Sequence, residues 1–137
     1  NNPERWKNAT GADRYRRAIY TYIKRTAIYP SFVTFDAAER QLSSPRRIAT
    51  NTPLQALVTL NDPVFYQAAQ ALAARMARDA PTAAGDRLDN QLNFGARLVL
   101  SRDLSAPELK VLRGLHAKAG MTAVASALFN LDAALTR

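Results

Sequence analysis

The chain has no cysteine and only one histidine in 137 residues. Disulfides and thiolate metal sites are therefore excluded, and a lone imidazole, His116, cannot supply the usual zinc set. The acids show no metal-ligand spacing either, so the expectation is no metal and no cofactor in this domain. Its five glycines are scattered, which rules out a phosphate-cradling loop. No serine elbow is present and no serine stands near the histidine. No catalytic residue can be named on these grounds. No apolar run is long enough to span a membrane, and no signal-peptide pattern is visible. Internal repeats, low-complexity tracts and sustained period-2 alternation are also missing, so no sheet is expected.

The chain does have enough apolar residues, 47%, to bury a core unaided. Its length predicts a single α-helical domain over residues 1–137, all-α, with five or six helices. The first residue is Asn1 rather than methionine, and Arg137 ends an apolar pattern. That reads as a C-terminal fragment of a longer multi-domain protein.

The stretch Thr50–Pro63, TNTPLQALVTLNDP, organises the rest. Thr52 places a hydroxyl cap before Pro53, whose missing N–H costs nothing at the first helical position. Leu54, Leu57, Val58 and Leu60 then predict a short apolar face, with Leu57 in the core. Asp62 and Pro63 repeat the device. The expectation is a short helix, a bend and a long helix. Downstream, helices are predicted over 63–80 and 86–101, and from the capping box at Ser105 and Glu108 to about Lys118. Gly120 closes that helix, and Thr122 caps a last one. His116 lies near a helix C-terminus, where a cation suits the dipole. Upstream, Ala12–Tyr29 predicts a helix with Tyr15, Ala18, Ile19, Tyr22, Ile23 and Thr26 inward, ended by Pro30. Trp6, in the polar lead-in, is expected to dock on something apolar. A long irregular loop, 31–49, separates this first helix from the second. Asp36 is placed there as the cap of a single turn through Arg40.

The net charge of +8 is unevenly placed: residues 1–47 hold ten Lys/Arg against four Asp/Glu. Arg14, Arg16, Arg17, Lys24, Arg25, Arg40, Arg46 and Arg47 are the binding candidates for an acidic partner. Bracing of loop carbonyls and carboxylates is the competing role, assigned to Arg25 and Arg47, with Arg14, Arg16 and Arg17 left exposed. Tyrosines interleave with these cations, a pattern that suits single-stranded nucleic acid. Placing Tyr15 and Tyr22 on the inward stripe argues against that partner. Thr52, Pro53, Leu57, Asp62, Pro63 and Asp36 are the structural candidates.

RYRRAIYTYIKRTAIYPSFVTFDAAER followed by TNTPLQALVTLNDPVF resembles the C-terminal helical domain of large planctomycete proteins, a family of unknown function, fifteen fifty-three. FGARLVLSRDLSAPELKVL and the closing Asn-Leu-Asp of LFNLDAALTR support the resemblance. The resemblance implies an exported parent, periplasmic or on the cell surface. Such parents often carry a cytochrome c-like module upstream, so any haem would belong there. The chain departs from the pattern at Ser43-Ser44, where members often carry a cysteine, and at Ala133-Ala134, where an acidic and an aromatic residue are usual.

Three readings follow. The first is a non-catalytic module that packs against other domains of the same chain. The second binds anionic polysaccharide through the N-terminal arginines. The third is part of an enzyme site completed by a missing neighbour, with Asp36, Asp62, Arg25, Arg40 and Arg47 contributing.

Overall fold

Helix-start chemistry accounts for most of the architecture. The computed structural model describes residues 9–23, 28–38, 49–82 and 85–136, and among them no strand occurs. The described residues form six α-helices: α1 (Pro30–Thr34), α2 (Pro53–Asn61), α3 (Pro63–Asp79), α4 (Arg87–Leu100), α5 (Ala106–Phe129) and α6 (Asp132–Leu135). The protein is all-α. By contact the chain divides into two compact units, Asn1–Thr50 and Asn51–Arg137.

In the first unit the expected helix over Ala12–Tyr29 is replaced, in its described part, by two 3-10 turns, Gly11–Tyr15 and Ala18–Tyr20. Ile19, Tyr20, Thr21, Tyr22 and Ile23 are aromatic or β-branched and lose χ1 freedom in a helix. A short helix survives by burying a face, and here Ile19 and Tyr22 remain 78% and 76% exposed. Pro30 opens α1 as its first residue rather than ending a helix. Asp36 follows α1 with φ 54°, and its Oδ2 accepts from the Thr50 N–H at 2.7 Å and from Thr50 Oγ1 at 2.8 Å. The turn that it is expected to cap runs through Arg40, outside the described residues. Trp6, Lys24, Arg25, Arg40, Ser43, Ser44, Arg46 and Arg47 lie outside the described residues.

In the second unit α3, α4 and α5 pack on one another, α2 lies against α3 and α5, and α6 against α4 and α5. The core is Ala69, Ala73 and Met76 from α3, Leu92, Ala96 and Leu100 from α4, Leu104 from the following loop, and Leu112, Val124, Ala125 and Leu128 from α5. Small residues let the helices approach closely. A Cβ on Gly95 would stand 2.6 Å from the Met76 sulfur. Ser101, at φ 57°, ends α4. The turn to α5 is held by Asn93, whose Oδ1 accepts from the Leu104 N–H at 3.0 Å. Gly120 breaks α5 at φ 77°, ψ −178°, a conformation essentially confined to glycine. Thus the stop expected at Gly120 occurs, within what is otherwise one run of helix. The last helix is shorter than expected because the chain turns at Asn130 before α6.

Surface ion pairs join α4 to α5 and its approach. Arg113 grips Asp89, and Arg97 pairs with Asp103 at 3.0 Å. Arg102 pairs with Glu108 at 2.7 Å. Such exposed pairs are worth about 0–1 kcal/mol each. Glu108 does more than the others. Its carboxylate also takes the Ser105 N–H and Oγ–H, both at 2.8 Å, completing the capping box of α5. The Arg102 guanidinium, and then Ser105, hold the carboxyl at about 2 rather than 4.5. A depressed folded value stabilises the fold above the unfolded value and is lost as pH falls through the folded one. Glu108→Gln is therefore expected to melt below the parent at pH 7. The gap should narrow between pH about 4.5 and about 2 in thermal melts across that range.

Candidate functional site

α2 and the end of α5 build the most distinctive arrangement in the second unit. Thr52 opens α2 with a reciprocal box: the Gln55 N–H donates to Thr52 Oγ1 at 3.4 Å, and Gln55 Oε1 accepts from the Thr52 N–H at 3.0 Å. Pro53 takes the first helical position. At the far end Asp62 closes α2 and starts α3, accepting from the Val64 N–H at 2.7 Å, with Pro63 first in the new helix. Removing either acceptor is expected to cost about 1 kcal/mol. Thr52→Ala and Asp62→Ala should each show it in chemical denaturation.

The face that α2 turns inward is the reverse of the expected one. Leu54, Leu57 and Leu60 are 54%, 58% and 52% exposed. The buried residues are Gln55 and Thr59. Placing Leu57 in the core was therefore wrong. Gln55 is drawn in by its box, and Thr59 by a partner 71 residues away: its hydroxyl lies 2.5 Å from Asn130 Oδ1. The same hydroxyl is 3.1 Å from the Gln55 carbonyl, and Asn130 Nδ2 donates to the Ser126 carbonyl at 3.0 Å. Beside this, Asn51 Nδ2 donates to Asp132 Oδ1 at 2.7 Å. The Asn-Thr-Pro-Leu-Gln-Ala-Leu start and the closing Asn-Leu-Asp are thus physically joined. The Thr-x-x-Gln spacing was readable as a capping box. Nothing local announces the pairing with Asn130.

Arg14, Arg16 and Arg17 are all exposed in the first unit, and Arg16 pairs with Asp13 at 2.7 Å. Asp36 is occupied by Thr50 and Asp62 by the α3 amide. A pocket of ≈ 250 Å³ between the end of α3 and the start of α4 is lined by residues including Arg78, Arg87, Asn90 and Gln91. It has no carboxylate or imidazole among its lining residues. His116 is half-buried on α5. Among the described residues no three His, Asp or Glu side chains converge as a metal site, and no helix is long and apolar enough to cross a membrane.

The family model of PSD1, a protein of unknown function (DUF1553), matches residues 1–116. The chain belongs to this family. The match covers the first unit, the whole Thr50–Pro63 stretch and the first turns of α5 up to His116. Asn130 and Asp132 lie beyond it. No curated protein and no solved structure matches the chain. PSD1 membership thus carries no reaction with it, and the chemistry must be read from the side chains described above.

Proposed function

We propose that this PSD1 domain is a non-catalytic helical module that packs against neighbouring domains of one parent chain. The parent is read as an exported, multi-domain planctomycete protein, and that part rests on the family resemblance alone. The observation that supports the packing role is the orientation of α2. Three leucines at helical spacing face solvent while a glutamine and a threonine take the core side. No charged residue occurs between Thr50 and Asn61. A protein-binding surface has this composition at its centre, apolar and depleted of charge.

The test is co-purification of the 137-residue chain with the separately expressed remainder of its parent. Leu54→Lys with Leu57→Lys should leave the melting curve near that of the parent and abolish the association. Undiminished co-purification of that variant would remove α2 as the packing face.

A further inference from the structure

A second apolar face lies on the solvent side of α5, before the break at Gly120. Pro107, Lys110, Val111, Gly114, Leu115 and Lys118 line one open groove there. Leu115 is half-buried and the other five are exposed, Val111 by 69%. Pro107, Val111 and Leu115 follow one another at i, i+4 and i+8, and so do Lys110, Gly114 and Lys118. Residues four apart form the ridges of a helix surface, and a groove runs between neighbouring ridges. Here one ridge is apolar and the other is a glycine between two lysines. A glycine inside a helix weakens it relative to alanine. No contact among the described residues calls for one here, since nothing stands within 4 Å of where a Gly114 side chain would be. What the glycine leaves is a low point in the ridge, open to close approach by another backbone. Neither lysine is in an ion pair among the described residues. They stand about 12 Å apart along the helix axis, at 1.5 Å of rise per residue.

We propose that this groove docks an acidic amphipathic helix of a partner protein, its apolar stripe entering over Gly114 and its carboxylates reaching Lys110 and Lys118. Charge selects the occupant. Two unpaired cations about two turns apart, beside an apolar ridge, complement a helix that carries acids at the same interval around an apolar centre. The net charge of +8 draws such a partner in and repels a second copy of the chain. A copy docked α5 to α5 would also set lysine against lysine. A membrane surface suits the face less well. Helices that lie in a membrane bring several large apolar side chains to it, and in this groove Val111 is the one that stands mostly in solvent. No α2 residue lines the groove, so its failure would leave the packing role of α2 untouched.

The test is fluorescence anisotropy of labelled synthetic peptides titrated with the 137-residue chain. The probe is an alanine–leucine helix with two glutamates eight residues apart, and the control has lysine at those two positions. The parent should bind the probe, less tightly as salt rises, and should not bind the control. Lys110→Glu with Lys118→Glu should lose about tenfold or more in affinity for the probe, the loss expected for charge-assisted hydrogen bonds, and should now bind the control. Gly114→Leu should weaken binding by a similar factor yet melt no lower than the parent, because leucine favours helix and meets open space. Leu54→Lys with Leu57→Lys should bind the probe as the parent does. The proposal is overturned if the parent fails to bind the probe, or if either the charge reversal or Gly114→Leu binds it undiminished. It is equally overturned if phosphatidylglycerol vesicles take up the parent while the probe does not bind, or if the chain alone sediments as a dimer that Gly114→Leu dissociates.

Discussion

Leu128→Ala is expected to remove about 2–5 kcal/mol of stability, the range for truncating a buried leucine, while Leu57→Ala removes under about 0.5. Leu128 is fully buried against the Met76 and Leu92 cluster. Its Cδ1 would lie 3.2 Å from a Cβ on Gly95, so three helices meet at this side chain. Losing the isobutyl group leaves a cavity that tightly approached helices cannot close. Leu57 has water over more than half of its surface and leaves no cavity behind. Both values come from urea denaturation of the two variants beside the parent. Equal losses would mean that α2 packs with its leucines inward, contrary to its described orientation.

Thr59→Val is the second substitution with a large expected effect, a loss of about 1–3 kcal/mol. Valine keeps the shape and removes the one donor that faces Asn130 Oδ1. The amide oxygen is then left partly buried without that donor. Asn130→Leu should cost less, because the threonine hydroxyl can still donate to the Gln55 carbonyl at 3.1 Å. The double variant should lose less than the two single losses added, because an apolar pair leaves no polar atom unsatisfied. A double-mutant cycle in urea measures the coupling. Strict additivity would show that the two groups act independently and that something else orients α2.

These two expectations mark what could be read in the sequence. The caps were legible because each is settled within three residues: Thr52 with Gln55, Asp62 with Val64, Ser105 with Glu108. The break at Gly120 was legible for the same reason. Rotation of α2 about its own axis was not. Leu54, Leu57 and Leu60 make a periodic apolar stripe, but periodicity marks a face without saying what lies beside it. The deciding contact comes from Asn130, which caps the distant end of α5. The first segment misled in another way. Tyr15, Ile19 and Tyr22 fit helical spacing, yet their residue types favour extended backbone, and no buried face repays the helix. The reason once given against nucleic acid, that these tyrosines lie in a core, falls with it.

The break in α5 has a consequence for how the second unit comes apart. Nothing stands within 4 Å of where a Gly120 side chain would be, so the break owes nothing to crowding and is a property of the backbone alone. On one side of it, Leu112 and Arg113 face α4 and its ion pairs. On the other, Leu128 and Asn130 hold the core and the α2 junction. A regular ladder of i→i−4 bonds does not cross such a point. Amide protons before and after Gly120 therefore belong to separate protection classes in native-state hydrogen exchange. The second class is the one whose opening breaks the contact between Thr59 and Asn130.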